Sequence, residues 1–224
     1  MSLTIPCPNC GAEVVFRSAS LPSRVCDYCR SLLVRSDSGV QVVGQSSPLP
    51  FDMSPLQIGA RGQLGDHSFE TVGRIRWGWT DGAWNEWLLL AGNGKTAWLG
   101  DAMGQFMLMQ ERELASVRSR QVQMIAEGRD ARPGAEIQID KERMTVVDAR
   151  DVICLSAEGE LPFTPRPGWK LYSVDLRGRD GGFASIQRDE AGTSYYRGRY
   201  VTLEELKFRG LRRFEGWTLP DYAA

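Results

Sequence analysis

The chain has 224 residues, and its 27 basic and 28 acidic side chains leave a formal net charge of −1. That balance disfavours a general binder of nucleic acids or anionic membranes. No apolar run approaches the ~20 residues of a membrane helix, and Met1-Ser2-Leu3-Thr4-Ile5-Pro6 lacks the basic region and apolar core of a signal peptide. A cytoplasmic protein with reduced thiols, no nucleic-acid partner and no direct membrane insertion is the expectation.

In chain order, the first signal is Cys7-Pro8-Asn9-Cys10 and Cys26-Asp27-Tyr28-Cys29, two C-x-x-C hooks fifteen residues apart. This is the spacing of a zinc ribbon. Each hook aims two thiolates from a tight turn, and the four give the closed sulfur cage of a structural zinc, with no open position for catalysis. Gly11 suits the bend at the first hook, whereas Arg30-Ser31 stands where a glycine is usual at the second. Val14-Val15-Phe16 and Leu32-Leu33-Val34 read as strands leaving the hooks. A rubredoxin-like iron site and a redox pair are the alternatives.

The ribbon is assigned to residues 1–43, including the strand Val40-Gln41-Val42-Val43 after a turn at Asp37-Ser38. Residues 44–55, rich in Ser and Pro, read as a linker. Beyond it, aromatic-rich segments broken by Asp-Gly, Gly-Asn-Gly and Asp-Gly-Gly turns predict a mostly β fold. Gly59, Leu64, Phe69 and Val72 overlay on Gly134, Ile139, Met144 and Val147 at an offset of 75, and Trp98-Leu99 falls on Ser173-Val174. A duplicated small β-barrel or β-sheet domain is therefore expected, with a first β unit at 56–126 and a second at 127–224. Leu114, Val117, Gln121, Met124 and Ile125 suggest a short connecting helix, Thr202-Leu203-Glu204-Glu205 a capping box, and Lys207, Arg209, Arg212 and Arg213 a solvated basic patch.

Catalytic devices are hard to find, and no catalytic residue is assigned. His67, the one histidine, sits in a turn-like Gly65-Asp66-His67-Ser68, and Cys154 lies in an apolar strand-like run without a local activating base. Five of the seven tryptophans fall between 77 and 98. Half-buried sheet packing accounts for most such clusters, and an aromatic surface for a cation or partner is the alternative. Closing a hairpin at Asp81-Gly82 pairs Trp79 with Trp84 and Trp77 with Glu86, so Trp77, Trp79, Trp84 and Glu86 form the candidate ligand or partner surface. A carboxylate among indoles needs either an internal donor or a cation that arrives from outside.

The runs Gly62-Gln63-Leu64-Gly65, Val72-Gly73-Arg74-Ile75, Trp84-Asn85-Glu86-Trp87-Leu88-Leu89, Trp98-Leu99, Glu158-Gly159-Glu160-Leu161-Pro162-Phe163 and Tyr196-Arg197-Gly198-Arg199-Tyr200-Val201 together resemble the bacterial domain-of-unknown-function family 4178 over roughly 56–210. Members of that family often carry an N-terminal zinc ribbon. The resemblance implies a bacterial cytosolic protein without established catalysis, tied to stress or envelope physiology by neighbouring membrane-stress and polyamine-related genes. A non-enzymatic adaptor with an unidentified protein partner and a structural zinc is the leading expectation. A pocket for a small cationic metabolite such as a polyamine is the other, and a deep acidic aromatic cavity would favour it over a flat apolar patch.

Overall fold

The computed structural model describes residues 2–36, 39–166 and 168–223, and the turn expected at Asp37-Ser38 lies outside them. The fold is mostly β. In the N-terminal module β1 (Leu3–Pro6) pairs with β2 (Glu13–Phe16). There follow β3 (Ser23–Val25), β4 (Ser31–Ser36) and the edge strand β5 (Gly39–Gln45). The remaining strands are β6 (Arg61–Leu64), β7 (His67–Trp79), β8 (Gly82–Ala91), β9 (Thr96–Ala102) and β10 (Gln105–Arg112), then β11 (Glu136–Ile139), β12 (Glu142–Leu161), β13 (Lys170–Gly178), β14 (Gly182–Arg188) and β15 (Thr193–Val201). No helix among the described residues is long and apolar enough to cross a membrane.

Apart from the separate β1–β2 pair, the strands form one large antiparallel sheet that returns on itself. β7, β8, β9 and β10 run as a meander, and β12, β13, β14 and β15 as another. One seam joins β10 to β15 and the other joins β7 to β12, so the eight strands form a ring. Local geometry recurs at the offset of 75: Arg61 faces Glu70 as Glu136 faces Thr145. Gly59 N–H donates to Thr71 O as Gly134 N–H donates to Val146 O, both at 2.8 Å. The register shifts at Val72 in β7 and again at Val147 in β12. The overlay fails farther on, because Trp98 lies on β9, third of its meander, while Ser173 lies on β13, second of the other.

Three apolar clusters follow from this topology. Ile75, Trp77, Leu88, Trp98, Met107, Val152, Phe183 and Tyr196 fill the interior of the ring. Outside it, Val174, Leu176, Ala184 and Ile186 are covered by Val122 and Ile125 of α1 (Arg120–Ala126). That helix starts later than expected because Ser119 caps it, accepting from Val122 N–H. Trp87, Leu89 and Leu99 are covered on the other outer face by Leu203, Leu206, Phe208 and Leu211. At Thr202 the capping geometry forms, Oγ1 accepting from Glu205 N–H at 3.0 Å, but the chain continues in turns before Gly210.

Two expectations of separateness are corrected. Residues 44–55 lie against the ring instead of hanging free: Ser46 Oγ donates to Ala157 O and accepts from Ala157 N–H, and buried Asp52 is ion-paired to Arg74, Arg76 and Arg212. Arg212 therefore leaves the solvated patch in which its neighbours suggested it lay. The N-terminal module also joins the sheet, since β3 pairs with β12 and Leu21, Val25 and Leu32 belong to the interior cluster. Fully buried Glu160 accepts from Arg17 N–H at 2.7 Å, from Arg17 Nη1 at 3.1 Å and from Arg24 Nη1 at 3.2 Å. The N-terminal module is thus not insulated from the ring by a linker.

The β7–β12 seam depends on two glycines facing each other, Gly73 and Gly159. A Cβ at Gly73 would stand 1.8 Å from Glu160 O, and one at Gly159 would stand 2.2 Å from Val72 O on a backbone with φ +69°. Only glycine lets the strands approach so closely. Gly73→Ala is expected to destabilise the fold by about 1–3 kcal/mol, as overpacking a dense core does. The midpoint of urea unfolding, followed by tryptophan fluorescence, measures it, and an unchanged midpoint would show that the seam yields freely.

Candidate functional site

Two constellations carry chemistry. The first is the thiol cluster: Cys7, Cys10, Cys26 and Cys29 have Sγ atoms all within 4.8 Å of one another, and none is in a disulfide. Cys7 Sγ lies 3.7 Å from Cys29 Sγ and Cys10 Sγ lies 3.8 Å from Cys26 Sγ. Bonds of about 2.3 Å to a tetrahedral metal place sulfurs about 3.8 Å apart, so the donor set fits such an ion. The hooks are the same turn twice: Gly11 N–H donates to Cys7 O at 2.8 Å and Arg30 N–H to Cys26 O at 2.9 Å. Arg30 adopts φ +59° where Gly11 adopts +76°, which explains how the second hook forms without its glycine. Left-handed backbone costs a side-chain-bearing residue about 1 kcal/mol, and Arg30→Gly is expected to recover roughly that in thermal denaturation.

The second is a cavity of about 320 Å³ at the ring interior. Trp77 of β7, Glu86 of β8, Trp98 of β9, Gln187 of β14 and Tyr196 of β15 line it, with Phe163 and Trp169 from the β12–β13 connection. The hairpin register differs from expectation by two residues. Trp79 faces Gly82, Trp77 faces Trp84 and Ile75 faces Glu86, so the turn is Thr80-Asp81 and not Asp81-Gly82. A slip of two preserves the faces, and Trp77, Trp79, Trp84 and Glu86 still share the inner side.

Glu86 is 7% exposed and accepts three hydrogen bonds: Trp77 Nε1 donates to Oε2 at 2.9 Å, and Trp84 Nε1 and Gln187 Nε2 donate to Oε1 at 3.2 and 2.7 Å. An indole only donates, so the arrangement is built for an acceptor-only carboxylate. Among the described residues no arginine, lysine or histidine forms an ion pair with it. Burial pushes its carboxyl up and the three donors pull it back only in part. Trp84 reaches it from behind and does not line the cavity, and Trp79 packs on Trp84 at 5.8 Å beneath the guanidinium of Arg150. The candidate set of four thus separates into two cavity residues and two supports.

Trp169 and Phe163 were beyond the reach of local pattern, because a loop about ninety residues from Trp77 delivers them. Their position follows from Cys154: it faces Trp77 across one edge of β12, and on the other edge its N–H donates to Trp169 O at 2.7 Å. The small thiol lets the two indoles meet at 5.2 Å and 64°. Burial pushes that thiol up to about 11, which leaves little thiolate for nucleophilic work. His67 opens β7 opposite Leu64 and is exposed, and its side chain makes no hydrogen bond among the described residues.

A second acid lies nearby on β13. Burial, with help from the neighbouring Glu86 and Asp148 charges, pushes the Asp175 carboxyl up to about 7, against hydrogen bonding from Ser185 and the Arg150 charge. The folded state therefore holds a proton between about pH 4 and pH 7 that the unfolded chain releases, so stability falls as pH rises through that window. Asp175→Asn is expected to be more stable than the parent at pH 8 and indistinguishable at pH 4. Parallel denaturation curves at the two pH values check this, and a constant difference would show that Asp175 titrates normally.

A family model described as a domain of unknown function (DUF4178) matches residues 57–203, which includes the whole ring and ends inside the Thr202–Glu205 turn. No curated protein and no solved structure matches the chain.

Proposed function

The chain belongs to the domain-of-unknown-function family DUF4178, and we propose that its β ring is a binding module for a small organic cation, held between aromatic faces above Glu86. One observation carries this: a carboxylate dressed by three neutral donors, without a counter-cation among the described residues, at the wall of an aromatic cavity. An unpaired buried charge is costly. A cation seated on Trp77, Trp98 and Trp169 would neutralise it and gain the attraction of the ring faces. For the adaptor alternative the candidate surface was Trp77, Trp79, Trp84 and Glu86; of its tryptophans Trp77 is 1% exposed, and Trp79 and Trp84 are half-buried.

The four thiolates would hold zinc, as a closed structural site whose binding energy folds the N-terminal module. A reducing cytosol suits such a site. Because β3 shares the sheet with β12, chelation is expected to lower the stability of the whole chain in one transition, and metal analysis should find one zinc per chain. Two separate unfolding transitions after chelation would uncouple the module from the ring.

Tryptophan fluorescence and calorimetric titration with a panel of amines, methylated ammonium ions and guanidinium ions test the reading. At least one is expected to bind, and Glu86→Gln is expected to weaken it roughly tenfold or more, the scale of losing a charged hydrogen-bonding partner. Binding should tighten as pH rises and Glu86 ionises. A panel without any binder, or full affinity in Glu86→Gln, would overturn it.

A further inference from the structure

Resting on that reading, we propose that the cation is a methylated ammonium, tertiary or quaternary, in preference to a primary amine or a guanidinium. The reason is the spent hydrogen-bonding capacity of the cavity. A carboxylate offers about four acceptor positions on two oxygens, and Glu86 has given three of them to Trp77, Trp84 and Gln187, with at least one on each oxygen. A guanidinium needs both oxygens for its parallel fork, and each oxygen already carries at least one indole or amide donor. A primary ammonium brings three N–H groups, of which Glu86 can receive one.

The other carboxylate of the wall is no more available. Asp189 accepts from Trp169 Nε1 at 2.8 Å, and from Ala191 N–H and Gly192 N–H at 2.8 and 3.0 Å. Apart from the hydroxyls of Thr193 and Ser194, which donate to Ala126 O and Glu111 Oε1, much of the remaining lining is aromatic. Trp77 meets Trp169 at 64°, Phe163 meets Trp169 at 77°, and Trp98 stacks on Phe163 at 5.8 Å. Rings set at steep angles around a negative charge suit a head group whose positive charge is spread over methyls and needs no acceptors. The volume of about 320 Å³ lies at the small end of ligand pockets, enough for such a head and a short tail.

The experiment is calorimetry on the full, metal-loaded chain with three probes that share one tail: butylammonium, trimethylbutylammonium and butylguanidinium. Trimethylbutylammonium is expected to bind roughly tenfold or more tightly than the other two, the scale set by ring-face attraction. Trp98→Leu and Trp169→Leu, two independent positions in case one fails to fold, should each reduce that preference while the circular dichroism spectrum is kept. A trimethyl-lysine peptide in the same series separates the sources of the head group: weaker binding than the free probe indicates a small metabolite and tighter binding a modified side chain. Equal or tighter binding of butylammonium or butylguanidinium would overturn the head-group assignment alone. Binding by none of the four would remove the cation reading beneath it as well.

Discussion

Much in this molecule hangs on the course of one twenty-residue strand. β12 pairs with β11 and β13 along its first half, with β7 along its second and with β3 at its end. Strand closure removes the open edges that a sheet otherwise has to protect, and here it is achieved where two glycines let the backbones nearly touch. The motifs Val72-Gly73-Arg74-Ile75 and Glu158-Gly159-Glu160-Leu161 are the two sides of that contact. Past the glycines, Glu160 turns to the N-terminal module and anchors it through two arginines. One stretch of backbone therefore sets the ring, the interior and the attachment of the metal module.

Within the ring, the physical requirements of folding and of binding diverge. An apolar interior would be more stable with a leucine at position 86, yet the chain builds a donor cage around a carboxylate and keeps Asp175 close behind it. Buried polar networks are worth keeping only when each member is satisfied. Around Glu86 three donors are in place, and among the described residues no cation is paired with it. On the outer face the cluster of Arg74, Arg76 and Arg212 around Asp52 contains its own opposing charges, and buried Asp101, which accepts from Ser54, Asn85 and Trp87, has the Arg76 charge near it. Local departures from the rules of stable cores tend to fall where function is.

Some of this was readable residue by residue. Cysteine spacing announces the thiol cluster because a metal demands ligands at fixed reach, and period-two alternation assigned Glu86 to the tryptophan face even with the turn misplaced, since a slip of two keeps parity. The hairpin itself was misread because Asp-Gly is a strong turn signal locally, while the seam with β12 and the meander on the other side decide the register globally. Asp52 looked like linker because its surroundings are Ser and Pro, and only the fold reveals three arginines waiting for it. Trp169 and Phe163 arrive on the loop that replaces the two-residue Thr80-Asp81 turn in the second meander. That insertion also ends the offset of 75, so the repeat that helped to place the strands concealed the residues that complete the cavity.

The ring also has a temporal side. Each meander is made of neighbours in sequence and can form as it leaves the ribosome, but both seams join strands roughly eighty to ninety residues apart, and long-range pairings form late. After the first meander is synthesised, β7 and β10 present unpaired edges, and Trp77 and Trp98 have no second half to cover them, until β12 and β15 emerge. Exposed edges and aromatic faces of this kind are what partly folded chains aggregate through. The stretch from residue 113 to the end of β15 therefore sets how long the nascent protein stays open, and the charged connection at 113–135 is the part of it that can be shortened without touching a strand of the ring.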